Sequence, residues 1–415
     1  MVLRTASKSD YNLSEIKDLA NSAGYTVVGY IKQFRKADPR YQIGLGKVKE
    51  LVELVRESSA ERVIFDGELK PVQAYNLAKA TGVEVIDRLQ LILEIFAKRA
   101  STLEAKLQIK LAQLTYELSR AKEKVRLAKM GEQPVFSGLG KYEEDVYYEA
   151  VRRQVYKVKD LLKRIRSRRS IHRKSRVEKG FSLISLCGYT NSGKSTLFNA
   201  FTGGEVPTDS ELFTTLSTKT RLINICGRKA LITDTVGFID RLPLLLIDAF
   251  HSTLEETIFS DVILLVLDFS EGVEEIRRKL STCLNTIEKI NASGIPIVTA
   301  LNKIDLISRD ELEYKMLQVE APNPVPVSAL KKINLAELER KILEFLPRTI
   351  KASVSLPDVE EAYPLISGIF EETNVLRYEF NGDEISVTFE GLPWVVNKMK
   401  SHVEEMGGEL VGRMD

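Results

Sequence analysis

The sequence predicts a multidomain α/β protein organised around a P-loop nucleotide domain, on three observations. An apolar run at residues 181–187 breaks into Gly188-Tyr189-Thr190-Asn191-Ser192-Gly193-Lys194-Ser195 and resumes as a helical pattern at Thr196. Apolar runs of strand length recur at 231–237, 262–267, 295–301 and 325–330 with amphipathic stretches between them, as a helix-covered parallel sheet requires. On either side the periodicity changes, to α/β units and two heptad-like helices before residue 180 and to a hairpin-bearing α+β pattern after Pro347.

The central motif carries the chemistry. Strand, then G-x-x-x-x-G-K-S, then helix is the required context for a phosphate cradle. The glycines let successive backbone N–H groups of Asn191, Ser192, Gly193, Lys194, Ser195 and Thr196 turn inward, at a helix N-terminus that adds partial positive charge. Lys194 is expected to reach the β- and γ-phosphates, and Ser195 to offer its hydroxyl to Mg²⁺. A Gly-rich turn containing Lys-Ser by chance would lack the flanking strand and helix.

The base is read from a second motif. The run at 295–301 ends in Asn302-Lys303-Ile304-Asp305. The Asp305 carboxylate can accept from both the ring N–H and the exocyclic amino group of guanine, a donor pair adenine lacks. Asn302 can bond the base edge and the neighbouring loop, while the Lys303 stem lies over the ring. The run at 325–330 ends in Ser328-Ala329-Leu330, whose Ala329 N–H is positioned for the guanine oxygen. GTP is therefore favoured as substrate over ATP.

Between these motifs, Asp234-Thr235-Val236-Gly237 closes a strand pattern as D-x-x-G. Asp234 is expected to hold Mg²⁺ through water, and the Gly237 N–H to sense the γ-phosphate, which makes the following segment a switch. Residues 211–218 supply the other switch, with Thr215 preferred over Thr214 as the threonine that closes on Mg²⁺; an edge strand is the alternative reading of that stretch. Lys194, Thr215 and Gly237 are the expected catalytic groups. Phe238 stands where Ras-like enzymes carry the glutamine that orients the attacking water. Phenylalanine cannot bond water, so a backbone carbonyl, a partner or a cation must do so. Asn191 occupies a position that some such GTPases use to hold K⁺. Slow intrinsic turnover, raised by a partner, is expected. The fold class is then a P-loop GTPase domain with an N-terminal α/β domain plus helical hairpin and a small C-terminal α+β domain.

Composition bounds the rest. The 415 residues allow two to four domains, read here as 1–97, 98–179, 180–349 and 350–415. Cys187, Cys226 and Cys283 form no C-x-x-C pair and read as core filler, and the three histidines are too scattered to form a metal cluster. No apolar run approaches membrane-span length, and Met1 opens no signal-peptide pattern, so a cytoplasmic protein is expected; it is also expected to be a monomer.

The net charge of +2 hides an asymmetry, with 23 Lys and Arg against 10 Asp and Glu between Lys98 and Lys179. Leu103, Leu107, Leu111, Leu114 and Leu118 recur at steps of three and four, as do Val151, Val155, Val158, Leu162 and Ile165. The pattern is an antiparallel helical hairpin whose basic end suits structured RNA recognised by shape and phosphate, although a solvated basic face is the plainer alternative. Strands are expected at 25–31, 62–66 and 83–87, with helices at 47–56 and 70–80. Gly44-Leu45-Gly46-Lys47 reads as a turn capping a helix. The C-terminal part is expected as a strand at 353–356, a helix at 358–371, a hairpin around Asn381-Gly382 and a helix at 393–406, with Trp394 as a core anchor.

The stretch from Asp234 through Gly237-Phe238-Ile239-Asp240-Arg241-Leu242-Pro243, followed by Ala249-Phe250-His251-Ser252-Thr253-Leu254-Glu255-Glu256, resembles the HflX family of translational GTPases. Gly188-Tyr189-Thr190-Asn191, Phe213-Thr214-Thr215-Leu216 and Gly44-Leu45-Gly46-Lys47 fit the same family, and the likeness spans roughly residues 10 to 345. It implies a factor that binds the large ribosomal subunit and its rRNA through the N-terminal domain and basic hairpin, and splits or rescues stalled ribosomes under stress. It also implies that the hairpin tip at 131–142 reaches the large subunit, although this tip carries fewer glycines than the common bacterial version. Two alternatives stand beside it. One is an RNA-remodelling or rRNA-maturation factor whose N-terminal domain uses ATP, which would add a weak ATPase. The other is a GTP-dependent switch for a protein partner.

Overall fold

The computed structural model describes every residue except 6–12, 130–140, 179, 205–218, 236, 241–245, 247–255, 381, 383, 406–407 and 414–415. Three sheets are present among the described residues. The chain divides into two units, one built on residues 1–165 and one on most of the chain from residue 166 onward.

In the first unit, β1 (Val2–Thr5), β2 (Ile31–Phe34), β3 (Arg62–Asp66) and β4 (Glu84–Asp87) form a parallel sheet in the order β2-β1-β3-β4. Helices α1 (Leu13–Ser22), α2 (Leu45–Ser58), α3 (Pro71–Thr81) and α4 (Arg88–Arg99) connect and cover it. The strand expected at 25–31 starts later, because its register with β1 begins at the Val2–Ile31 pair; Val28 and Tyr30 are exposed. The 44–47 segment is a helix start, in which the Gly44 N–H donates to Gln33 Oε1 at 2.8 Å and Lys47 pairs with Glu50 on the surface.

Buried charge ties this unit together. Arg88 is ion-paired to Glu15 and, at 2.7 Å, to Asp66, with all three side chains less than a tenth exposed. Asp87 caps α4 through the Gln90 N–H and also accepts from the Tyr116 hydroxyl at 2.8 Å and from Arg120 at 3.0 Å. Those last two residues lie on α5 (Leu103–Lys129), so the sheet edge holds the helical hairpin. Helix α6 (Lys141–Glu178) returns along α5. Val151, Val155, Val158 and Leu162 pack on Leu114, with Leu107, Leu111 and Leu118 alongside, which is the seam the heptads predict. Tyr147, near the start of α6, donates to Glu117, late in α5, as an antiparallel pair requires.

The second unit opens on a six-stranded sheet in the order β10-β9-β8-β5-β7-β6. Its strands are β5 (Ser182–Gly188), β6 (Lys219–Ile225), β7 (Arg228–Asp234), β8 (Val262–Asp268), β9 (Ile297–Asn302) and β10 (Pro324–Pro326). All neighbours run parallel except the β6–β7 pair. Strand β5 is buried along its whole length and β8 up to Asp268, because helices cover both faces. The helices are α7 (Lys194–Thr202), α8 (Val273–Lys289), α9 (Arg309–Gln318) and α10 (Leu335–Phe345). Ile184, Leu186, Phe198, Val266 and Ile342 belong to one core cluster, and full burial of each such side chain contributes about 1.5–3 kcal/mol.

Strands β11 (Ile350–Pro357), β12 (Asn374–Phe380), β13 (Glu384–Gly391) and β14 (Glu409–Arg413) form an antiparallel sheet in the order β12-β13-β11-β14. With α11 (Ala362–Glu372) and α12 (Pro393–Glu405) the chain order is βαββαβ, the ferredoxin-like arrangement. Burial alternates along β13, with Ile385, Val387 and Phe389 facing the helices. Beyond the helix expected at 393–406, where the sequence pattern assigns no element, the chain supplies β14. Trp394 is 45% exposed rather than a core anchor. Cys187 and Cys283 are buried as expected, whereas Cys226 is exposed in the turn between β6 and β7. Among the described residues no helix is long and apolar enough to cross a membrane.

Candidate functional site

The site lies at the carboxyl ends of the central parallel strands, where open α/β sheets bind ligands. Strand β5 is the middle of the sheet and ends in Gly188. Gly188 (φ 145°) sits against the Val266 carbonyl of β8, and Gly193 (φ 94°) against the Asn302 amide of β9; neither place has room for a Cβ. Asn191 takes a left-handed conformation (φ 61°) between them. The 188–195 loop is thus bent by residues that tolerate such dihedrals, and it delivers Lys194 and Ser195 to the first turn of α7.

Lys194 is buried and donates to the Tyr189 carbonyl at 2.7 Å. Burial pushes its pKa down, and the nearby Asp234 carboxylate pulls in the opposite direction. Ser195 Oγ donates to Asp234 Oδ2 at 3.1 Å, which brings the P-loop hydroxyl and the β7 carboxylate together. A hydroxyl and a carboxylate beside a phosphate cradle are hard oxygen donors of the kind Mg²⁺ takes. The hydroxyls of Thr190 and Ser192 are buried with no hydrogen-bond partner among the described residues.

The D-x-x-G segment lies against this loop. The Phe238 N–H donates to the Gly188 carbonyl at 3.0 Å, and the Thr190 N–H donates to the Phe238 carbonyl at 2.9 Å. Phe238 is 1% exposed, so its ring is core and its backbone is a short parallel extension of the P-loop strand. A Cβ on Gly237 would lie 2.9 Å from Thr190 Cγ2 and 3.0 Å from Lys194 Nζ. Gly237 therefore belongs beside the P-loop lysine.

At the base end, Asn302 acts first as a strut. Its Nδ2 donates to the Ser192 carbonyl at 2.9 Å, and its Oδ1 accepts from the Ala329 N–H at 3.0 Å. The Ala329 N–H expected to face guanine thus points to Asn302, because the buried amide oxygen needs a donor. Lys303 (φ 67°) is held by Asp268 at 2.6 Å, and Asp268 Oδ1 also accepts from the Ser270 N–H at 3.0 Å. Asp305 stands exposed in a 3-10 turn, Ile304–Leu306, free of the strand. Ser328 is buried and its hydroxyl accepts from the Lys331 N–H at 3.1 Å, while Leu330 is exposed.

The structure brings together Ser192, Gly193, Lys194, Ser195, Asp234, Gly237, Asn302, Lys303 and Ala329. Thr196 lies in the first turn of α7. Thr215 and the rest of 211–218 lie outside the described residues, as does most of the hairpin tip. Sequence reading missed Asp268 and Arg278, and it quoted Tyr189 and Asp240 in motifs without a role. For Asp268 the available signal was Asp268-Phe269-Ser270 at the end of an apolar run, in line with the strand that carries Asn302.

Residues 183–303 match a family model described as a 50S ribosome-binding GTPase. Residues 10–97 match GTP-binding GTPase N-terminal, and residues 99–176 match GTP-binding GTPase Middle Region. GTPase HflX of Methanocaldococcus jannaschii is 44% identical over 403 residues, 96% of this chain and 98% of that protein. GTPase HflX of Thermofilum pendens is 46% identical over 360 residues, 86% of this chain and 85% of that one. The Escherichia coli GTPase HflX is 34% identical over 345 residues, 82% and 80% of the two chains. The crystal structure of a GTP-binding protein from Sulfolobus solfataricus in complex with GDP is 30% identical, spans 83% of this chain and 98% of its own, and superposes with a TM-score of 0.43. Guanine-nucleotide motifs in order at the strand ends, and relatives matched along nearly their whole length, lead to one conclusion: the chain is a GTPase and belongs to the HflX family.

Proposed function

We propose that this GTPase docks on the large ribosomal subunit, acts there on stalled or idle ribosomes under stress, and leaves after hydrolysing GTP. The observation that carries the reading is a guanine-nucleotide site in the same chain as a long two-helix hairpin, whose second helix runs 38 residues within a stretch of 23 basic and 10 acidic side chains. Such a stretch favours phosphate backbone by counterion release. The family description of the 183–303 segment as 50S ribosome-binding supports the same partner. The four domains are taken as 1–97, 98–179, 180–349 and 350–415, with the N-terminal domain and hairpin making the rRNA contacts. The factor is taken to work as a monomer in the cytoplasm, where ribosomes are.

In this reading the P-loop N–H groups from Asn191 to Thr196 hold the β-phosphate, and Lys194 spans the β- and γ-phosphates. Ser195, Thr215 and Asp234, the last through water, are the groups that would hold Mg²⁺, which when bound would offset charge on the phosphate oxygens. Gly237 donates its N–H to the γ-phosphate. Asp305, Lys303 and the 328–330 turn hold guanine, with Asn302 bracing the two loops. Phe238 contributes no group that orients water, so hydrolysis is slow until the ribosome supplies or arranges one. Asn191 is the group toward K⁺, and equal hydrolysis rates in Na⁺ and K⁺ would remove that role.

The experiment is sedimentation with purified ribosomal subunits in the presence of GTP, GDP or a non-hydrolysable GTP analogue. Co-sedimentation with the large subunit that depends on the analogue is expected. Absence of nucleotide-dependent co-sedimentation overturns the proposal.

A further inference from the structure

The chain is fastened at three places just beyond Gly237. Phe238 pairs with the P-loop backbone at Gly188 and Thr190. The Asp240 N–H then donates to the Tyr189 hydroxyl at 2.8 Å. Finally, Asp240 Oδ1 accepts from Thr282 Oγ1 at 2.8 Å, and Oδ2 is ion-paired to Arg278, both residues being on α8. Arg278 is itself oriented by Glu275, at 2.6 and 3.0 Å. The guanidinium of Arg278 and the ammonium of Lys279 lie 5.7 and 4.9 Å from the centroid of the Tyr189 ring. One residue therefore joins the exit of the D-x-x-G segment to a P-loop residue through its backbone N–H, and to a packed helix through its carboxylate.

We propose that Asp240 is a positioning residue that holds Gly237 at the height needed for the γ-phosphate, and thereby sets discrimination between GTP and GDP. The inference rests on the reading of Gly237 as the γ-phosphate contact. Asp240 touches no phosphate; it acts through Gly237, three residues away. The Phe238 pairing fixes the segment next to the P-loop; among these contacts the far end is tied to α8 only by the Asp240 carboxylate, the bond of its backbone N–H to Tyr189 remaining when the side chain is removed. Loosening that end weakens a contact made only with a triphosphate. GDP presents no γ-phosphate and is indifferent to it, so the effect is a difference between two affinities.

The test measures dissociation constants for a non-hydrolysable GTP analogue and for GDP on the full chain, comparing wild type, Asp240→Ala, Arg278→Ala and Gly237→Ala. Asp240→Ala is expected to weaken the analogue about tenfold while GDP stays within about twofold, and Arg278→Ala to move the ratio in the same direction. Equal weakening of both nucleotides marks a merely structural role and overturns the proposal, as does no weakening of either. Gly237→Ala separates the two layers. If it leaves the analogue-to-GDP ratio unchanged, the Gly237 reading fails and the proposal loses its basis. If it shifts the ratio while Asp240→Ala does not, Asp240 is not the positioning residue.

Discussion

Asn302 Nδ2 donates to the carbonyl of Ser192 at 2.9 Å, so a side chain at the end of β9 holds the P-loop that follows β5. Its other end accepts the Ala329 N–H, which makes one buried amide the joint between the phosphate loop and the guanine loops.

Asn302→Ala therefore loosens both loops and leaves a buried N–H without an acceptor. Each buried group left unsatisfied costs about 1–3 kcal/mol, so GTP and GDP affinities are expected to fall together by about tenfold or more. Equilibrium binding of both nucleotides to one preparation checks this. A loss confined to GTP would contradict the strut.

In the proposed reading Asp305 bears on base choice alone. It stands exposed in its 3-10 turn and belongs to no ion pair among the described residues. Asp305→Asn turns half of the acceptor pair into a donor, which repels the guanine amino group and suits the xanthine oxygen at that place. A charged hydrogen bond is worth about 1.5–3 kcal/mol, so preference is expected to move from guanine toward xanthine nucleotides by about tenfold or more in competition binding.

The structure adds a reason to the expectation for position 238. The Phe238 ring is sealed in the core while its backbone is pinned to the P-loop. Phe238→Gln is thus expected to lower the melting temperature, since an unpartnered buried amide costs about 1–3 kcal/mol, without raising the hydrolysis rate of the isolated protein. Thermal unfolding and single-turnover hydrolysis measure the two effects.

Lys194 gives a pH dependence of known sign. Burial lowers its pKa in the nucleotide-free protein, and bound phosphates favour its charged form. Binding at a pH above the depressed pKa is therefore expected to take up a proton, and affinity to fall as pH rises past that pKa. For folding, the nucleotide-free native state binds fewer protons than the unfolded chain between the lowered pKa and the ordinary lysine value. This group's penalty on stability is thus full below that window and relieved as pH rises through it. Calorimetry in buffers of different ionisation enthalpy detects the proton; Lys194→Ala abolishes it.

The nucleotide site was legible because its constraints are local. Gly188 and Gly193 are required by dihedrals and close approach, and Asn302-Lys303-Ile304-Asp305 sits where an apolar run ends. The hairpin seam and the βαββ part of the C-terminal domain followed from periodicity for the same reason. The partners across the sequence were not legible. Asp240 finds Arg278 and Thr282 only once β7 and α8 are packed, and Asp268 shows its purpose only when β8 lies beside β9 and Lys303. Residues 25–30 misled because β-branched side chains suggest a strand whether or not a neighbour exists to pair with. Cys226 misled because an apolar setting in sequence does not reveal that the residue turns outward between β6 and β7.

If this GTPase completes its site on the ribosome, its hydrolysis depends on the large subunit. Single-turnover hydrolysis of GTP, measured with and without purified large subunits, is the decisive measurement. Slow hydrolysis alone and a rise of at least about tenfold with large subunits, lost as salt is raised from low to moderate concentration, are expected. Fast hydrolysis by the isolated protein, left unchanged by large subunits, would rule out a site completed on the ribosome.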